Sequence, residues 1–274
     1  MRSERIITLT TDFGSDSHYV AQMKGAILSV APSVRIVDIT HSIAPQDVRM
    51  ASWVLNESID AFPAGTIHLA VVDPGVGSDR TILGVRTQVD FFIAPNNGLL
   101  THSLERYPPT EVVQITDDEY WRADVSSTFH GRDIMGPVAA HLSAGVELES
   151  FGPVFKEVEW LPLELPQMAD ELTGEVQYVD SFGNLITNIS IQDLGELADR
   201  LGRACQIQDW SAAVAGNGVE QLSHCYADIP TGQLAALIGS SGWLEFAVAG
   251  GNAADKYSLG SGASVRVWPR KSGS

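Results

Sequence analysis

Residues 67–80 read IHLAVVDPGVGSDR. The run Ile67–Val72 is dominated by apolar residues, which suits a strand buried on both faces, and it stops abruptly at Asp73, Pro74 and Gly75. Short β-rich runs of the same kind stand at Ile6–Thr10, Val34–Ile39, Ile82–Arg86 and Phe91–Ala94. Helical spacing lies between them. Met23, Ile27 and Val30 recur in Val20–Val30, and Ala51, Leu55 and Ile59 in Val48–Ile59, where Asp47 is placed to cap the first turn. Leu99–Tyr107 and Ile134–Ala144 are further predicted helices. Strands alternating with helices predict an α/β fold with a mostly parallel sheet.

That pattern ends near residue 150. The stretch 152–172, GPVFKEVEWLPLELPQMADEL, is acidic and aperiodic and holds Pro153, Pro162 and Pro166, none of which can donate to a helix or a ladder. The expected organisation is an N-terminal α/β domain over 1–160, a linker over 161–172 and a C-terminal β domain over 173–274. Its predicted strands are Gly174–Val179, Ala204–Ile207, Leu234–Ile238, Trp243–Val248 and Ala263–Trp268, separated by Gly, Asn, Asp and Ser clusters, as in a small barrel. The final Gly-Ser is expected to be a frayed tail.

The chain has 274 residues, 44% hydrophobic and 19% charged, with a mean hydropathy of +0.03. Such a composition can bury a large core and excludes collagen-like, coiled-coil and disordered classes. Seventeen basic against thirty-four acidic residues give a net charge of −17 without any Lys/Arg cluster, which argues against nucleic acid and anionic lipid as partners. No apolar run is long enough for a signal peptide or a membrane span. Cys205 and Cys225 lack CxxC spacing or neighbouring ligands and read as buried thiols in a reducing cytoplasm.

Four loops concentrate Asp, Asn, Gly and His: 10–19, 73–80, 94–101 and 126–133. Turn chemistry accounts for any one of them. Four within one α/β region, three at predicted strand ends, point to a ligand site, because such sheets bind ligands beyond the carboxyl ends of their strands. Asp12 has two readings, a ribose diol contact and a helix cap, and spacing alone favours the cap. Arg80 can fold back onto Asp73, the alternative being a surface ion pair of little energetic weight. His130 sits in a loop between Phe129 and Gly131, where a satisfied structural histidine is the more common fate, and no HxxxH or HExxH pattern supports zinc. LAVVDPGVG is similar to the first glycine motif of methyltransferases, although Pro74 weakens that match, and no Walker A or GxGxxG motif follows a strand.

TTDFG (10–14), THSIAPQDV (40–48), VVDPGVG (71–77), APNNGLL (94–100), STFHGRD (127–133), DSFGNLITN (180–188) and SSGWLE (240–245) stand in one order along the chain. Together they resemble the S-adenosyl-L-methionine hydroxide adenosyltransferase family, the SAM hydrolases related to fluorinase and chlorinase, over about residues 6 to 268. The resemblance implies an α/β domain, a β-barrel-like domain and a homotrimer with sites between the N-terminal domain of one subunit and the C-terminal domain of the next. It puts Asp73, Arg80 and His130 in the catalytic set and Asp12 on the ribose diol. Asp180, Ser240 and Ser241 would face the methionine amino and carboxylate groups, Phe182 and Asn184 would flank adenine, and backbone near Ala253 would read its edge. Phe13, Asn97 and Glu245, from the same motifs, complete the expected substrate contacts.

Two departures from the halogenating relatives matter. Where the fluorinase has tyrosine, threonine and serine around its halide, this chain has Asp73, Val76 and Gly131. A carboxylate repels a halide, so the resemblance is to the water-using branch. Where the relatives have arginine, this chain has Ser241. The implied reaction is attack of water on the ribose C5′, releasing adenosine and L-methionine with no metal or organic cofactor. A binding module that captures an adenosyl ligand without turnover is the alternative from another class, ahead of a methyltransferase or halogenase.

Overall fold

The computed structural model describes residues 5–203 and 206–270. The chain forms two compact units, Met1–Leu161 and Pro162–Ser274.

The first unit contains β1 (Ile6–Thr11), α1 (His18–Val30), β2 (Arg35–Thr40), α2 (Val48–Ser58), β3 (Ile67–Val71), β4 (Ile82–Arg86), β5 (Phe91–Pro95), α3 (Thr101–Arg106), β6 (Glu111–Gln114) and α4 (Gly136–Ser143). Its sheet runs β2-β1-β3-β5-β4-β6. The first four strands are mutually parallel, and β4 is antiparallel to both its neighbours. Alternation within β3 explains the layering: Ile67, Leu69 and Val71 face Met23, Ile27 and Val138, while Ala70 and Val72 join Leu55, Phe92 and Leu104. Asp47 caps α2, its Oδ1 accepting from the Met50 amide at 2.8 Å.

The chain leaves β1 for β2 on one side and then returns to β3 on the other. The carboxyl ends of β1 and β3 therefore form a topological switch point, where open α/β sheets leave a crevice. Thr11 pairs with Val71 across it, which sets the loops beginning at Asp12 and Val72 side by side.

The second unit contains β7 (Gln167–Met168), β8 (Leu172–Val179), β9 (Leu185–Ser190), α5 (Ile191–Arg200), β10 (Trp210–Val214), β11 (Asn217–Val219), β12 (Leu234–Ile238), β13 (Trp243–Val248), α6 (Ala253–Tyr257) and β14 (Ser264–Pro269). The antiparallel order β11-β10-β14-β8-β9-β13-β12 curls into a barrel-like sheet around Trp210, Phe246, Leu194 and Val267. A bridge between Ser223 and Leu237 helps to bring its edges together.

Several expectations need correcting. The predicted helix from Ile134 begins earlier, with a π-helical turn over Gly131–Met135 leading into α4. β6, β7, β9, β10 and β11 and the helices α5 and α6 were not foreseen, and β7 falls within the expected linker. Of the predicted strand Ala204–Ile207, residues 204–205 lie outside the described residues, as does Cys205, and Ile207 opens a one-turn helix instead. The terminal Gly-Ser also lies outside them. Cys225 is exposed rather than buried, since it enters the one-turn helix Tyr226–Asp228, none of whose residues is buried. No helix among the described residues is long and apolar enough to cross a membrane.

Candidate active site

In the first unit, the chain leaves the buried end of β3 and turns tightly. The Val76 amide donates to the Asp73 carbonyl at 3.2 Å and the Ser78 hydroxyl to the Gly75 carbonyl at 2.7 Å, which returns Arg80 to Asp73. Arg80 Nε donates to Asp73 Oδ1 at 2.9 Å and Oδ2 at 3.0 Å, and its Nη2 also donates to Oδ2. The same Nη2 lies 2.9 Å from His130 Nδ1. The side chains of Asp73 and Arg80 are only 6% and 11% exposed, so this is no surface ion pair. Asp73, Arg80 and His130, drawn from two loops, meet.

The join between those loops depends on Gly77. Its φ is +81°, and a Cβ there would collide with the Ser127 carbonyl. The Ser127–Gly131 loop is fixed in turn by the fully buried Asp133, which accepts from Arg132 Nε at 2.7 Å, Arg132 Nη2 at 2.8 Å, Arg122 Nη1 at 3.0 Å and the Ser126 amide at 2.9 Å. Burial raises the Asp133 pKa, but these donors outweigh it and hold the carboxyl below its ordinary value.

A guanidinium can only donate, so His130 Nδ1 accepts from Arg80 and the neutral ring carries its proton on Nε2. Burial, and then the Arg80 charge, lower the His130 pKa, which keeps the ring neutral near pH 7. Nε2–H is therefore a donor. Asp73 Oδ1 accepts one bond and keeps a lone pair.

Asp12, Phe13, Asp73 and His130 line a cavity of about 200 Å³ together with Gln46 and Gly131. Asp12 does not cap α1, because Ser17 does so by accepting from the Tyr19 amide at 3.2 Å. Instead Asp12 Oδ2 accepts from the Gln46 amide at 2.9 Å. A chain of contacts braces the Asp12 loop: the Phe13 amide reaches Thr11 Oγ1 at 3.3 Å, Thr11 Oγ1 lies 2.9 Å from His41 Nδ1, and His41 Nε2 lies 3.1 Å from Asp38. Phe13 meets Phe129 edge to face at 5.4 Å. Asn97 lies outside this lining and ties the strand ends together, its Nδ2 donating to the Val72 carbonyl at 2.9 Å.

The second unit holds a cavity of about 780 Å³, lined by Asp180, Phe182, Asn184, Ser240, Ser241 and Glu245 with Tyr178 and Tyr226. Asp180 organises its own loop: Oδ1 accepts from the Phe182 and Asn184 amides, each at 2.8 Å, and Oδ2 from Asn184 Nδ2 at 3.0 Å. The Phe182 ring stands 76% exposed. Ala253 is fully buried at the start of α6 and contributes no lining, although the following Ala254 amide donates to the Gly183 carbonyl at 3.0 Å. Glu245 is 94% removed from solvent, at 6% exposure, and accepts a hydrogen bond from the Tyr226 hydroxyl. Burial, with the nearby Asp180 charge adding to it, pushes Glu245 up to about 7.

Sequence reasoning passed over Gln46, His41, Asp133 and Tyr226. Asp133 stood within the quoted STFHGRD motif, and His41 and Gln46 within THSIAPQDV; nothing in the turn around Tyr226 marked it. Among the described residues no three His, Cys, Asp or Glu side chains converge as a metal ion would need.

Residues 7–152 match the SAM hydroxide adenosyltransferase N-terminal domain, and residues 174–266 match the SAM hydroxide adenosyltransferase C-terminal domain. The chain belongs to the SAM hydroxide adenosyltransferase family. Among relatives in this family, an (R)-S-adenosyl-L-methionine hydrolase of Salinispora tropica is 35% identical over 95% of this chain and 97% of its own. A fluorinase of Nocardia brasiliensis is 31% identical over 96% of each chain. The crystal structure of an uncharacterized conserved protein from Thermotoga maritima superimposes with a TM-score of 0.89 at 36% identity, covering 96% of this chain and 100% of that one.

Proposed function

We propose that the chain hydrolyses S-adenosyl-L-methionine to adenosine and L-methionine. The observation that carries this reading is the contact of Arg80 with both Asp73 and His130 at the β1–β3 crevice. The sulfonium is a good leaving group, so methionine departs without acid assistance. The nucleophile is the difficulty, since bulk water with a pKa of about 15.7 supplies little hydroxide at neutral pH. Arg80 offers positive charge to the developing hydroxide character, and Asp73 fixes the guanidinium. His130 Nε2–H donates to the water oxygen, while Asp73 Oδ1 accepts one of its hydrogens. Attack forms the C5′–O bond as the C5′–S bond breaks, and the pair of electrons leaves on methionine sulfur. The proton of the attacking water passes to Asp73 and then to solvent. Alignment of water about 3–3.5 Å from C5′ supplies much of the acceleration.

Asp12 holds the ribose diol, with Phe13 beside it. Asp180, Ser240, Ser241 and Glu245 receive the methionine end, and Phe182, Asn184 and the backbone near Ala253 receive adenine. Asn97 acts on the substrate indirectly, through the strand ends. The reaction needs no metal or organic cofactor, because the substrate carries its own leaving group. Ligand cavities commonly span about 300–1,000 Å³, so the cavity of about 200 Å³ around Asp12 is too small to enclose the substrate alone. That supports a site completed by further surface, and the family resemblance extends it to a homotrimer in which the first unit of one copy works with the second unit of the next. A cytoplasmic location is part of this proposal.

Incubation with S-adenosyl-L-methionine and chromatography test the activity. Adenosine with methionine is the expected outcome; S-adenosylhomocysteine, 5′-chloroadenosine in high chloride, or binding without product would overturn it.

A further inference from the structure

The segment THSIAPQDV (40–48) supplies no reacting group, yet it grips the loop that carries Asp12 at three points. The Gly14 amide donates to the His41 carbonyl at 2.8 Å, Thr11 Oγ1 lies 2.9 Å from His41 Nδ1, and the Gln46 amide donates to Asp12 Oδ2 at 2.9 Å. Gln46 reaches that place with a φ of +67°, in the left-handed region that few residues other than glycine adopt. The His41 side chain is buried, and its Nε2 lies 3.1 Å from Asp38 Oδ1. Asp38 Oδ2 accepts from Lys24 Nζ at 2.6 Å. The Asp38 carboxylate stands off the N–H axis of the ring, so it acts on His41 by charge rather than by a hydrogen bond.

We propose that His41 is a positioning residue for the ribose diol, acting through Thr11 on Asp12 without touching the ligand. The inference rests on the reading of Asp12 as the diol contact and names what holds that carboxylate in place. The Asp38 charge keeps the ring proton on Nε2, so Nδ1 is the acceptor and Thr11 donates its hydroxyl hydrogen to it. The Thr11 oxygen is then turned to accept from the Phe13 amide at 3.3 Å, which fixes the residues on both sides of Asp12. Asp12 Oδ2 is held by Gln46, and Oδ1 accepts no hydrogen bond among the described residues, which leaves it for the diol. A carboxylate that receives hydroxyls tolerates little displacement, because hydrogen bonds weaken steeply away from line. His41 lines no part of the cavity that holds Asp73 and His130, so its loss should be felt in binding of the sugar and not in the attack on C5′.

The test compares adenosine with 2′,3′-dideoxyadenosine, which lacks the diol, by calorimetry on the full-length protein. Wild type is expected to prefer adenosine by about 10- to 100-fold, as hydrogen bonds to a charged group imply. His41→Phe, which keeps a ring but no acceptor, should lose most of that preference with unchanged binding of the dideoxy ligand, and should raise KM for S-adenosyl-L-methionine far more than it lowers kcat. His41→Asn, whose Oδ1 can accept from Thr11, should restore much of the preference. A merely structural role would weaken both nucleosides together. That result, full preference in His41→Phe, or no rescue by His41→Asn overturns the inference. If His41→Phe fails to fold, the nearly isosteric Thr11→Val decides by the same comparison. Adenosine release from S-adenosyl-L-methionine by wild type is scored separately. Release with undiminished preference in His41→Phe sinks this inference and leaves hydrolysis standing, whereas wild type that binds both nucleosides alike sinks the reading of Asp12 along with it.

Discussion

Arg80 sits where three demands meet: it closes its own turn onto Asp73, reaches His130 in another loop and keeps its charge in a half-enclosed space. Arg80→Ala should lower kcat about 10²- to 10³-fold, the range for loss of one preorganised donor, with a smaller change in KM; steady-state kinetics measure both. The acid side of the rate profile belongs to His130. Its pKa lies below the ordinary 6.5, so the ring is neutral above that value and gains a proton on Nδ1 as pH falls, which breaks its bond from Arg80. The expected kcat profile drops on the acid side with a midpoint below 6.5, and His130→Gln should remove that limb. Much of this residue-level picture was legible. The fold-back of Arg80 onto Asp73 followed from two glycines and seven positions of separation. The role of Asp12 as a cap did not survive, because Ser17, closer to the first free amides of α1, takes that place. Tyr226 was illegible because its partner lies on β13, nineteen positions away.

At the scale of elements, strands bounded by strong breakers were the easiest to read. β4 falls on its predicted limits, Ile82–Arg86. β6 offers only EVVQ, too short for a period to show, and becomes a strand because β4 has a free edge to pair with. α5 starts at a capping box of Ser190 and Asp193 and buries Leu194, Leu197 and Ala198, cues that the sequence reading passed over. Leu69, wholly buried in β3, faces α1 and α4. Leu69→Ala should cost about 2–5 kcal/mol by denaturant unfolding. Gly77→Ala acts elsewhere: its positive φ and the approach of the Ser127 carbonyl make a side chain cost about 1–3 kcal/mol and should separate the loops that carry Asp73 and His130. Activity should fall in that variant well before global stability is lost, which paired assays and melting curves will show.

For the whole molecule, the net charge of −17 matters to a sulfonium substrate. The field draws in a cation and holds neither neutral adenosine nor zwitterionic methionine, so KM should rise as salt screens it. Oligomeric complementation tests the division of labour between units: two inactive variants, Asp73→Asn and Asp180→Ala, should recover activity when mixed and reassembled, since some assembled sites then contain neither lesion. Persistent inactivity would count against the proposed trimer. Division into an α/β half and a β half was visible in the changing periodicity, whereas the curl of the second sheet arises from long-range pairing that no short window contains. The crevice at the switch point has a further consequence. The groups proposed to react hang from strand ends, while Leu69, Phe92 and Ile27, which do not line that cavity, hold the layers together. Chemistry and folding thereby rest largely on different residues, and descendants selected for another nucleophile can exchange the half-buried Val76 in the cavity wall while melting at nearly the parental temperature.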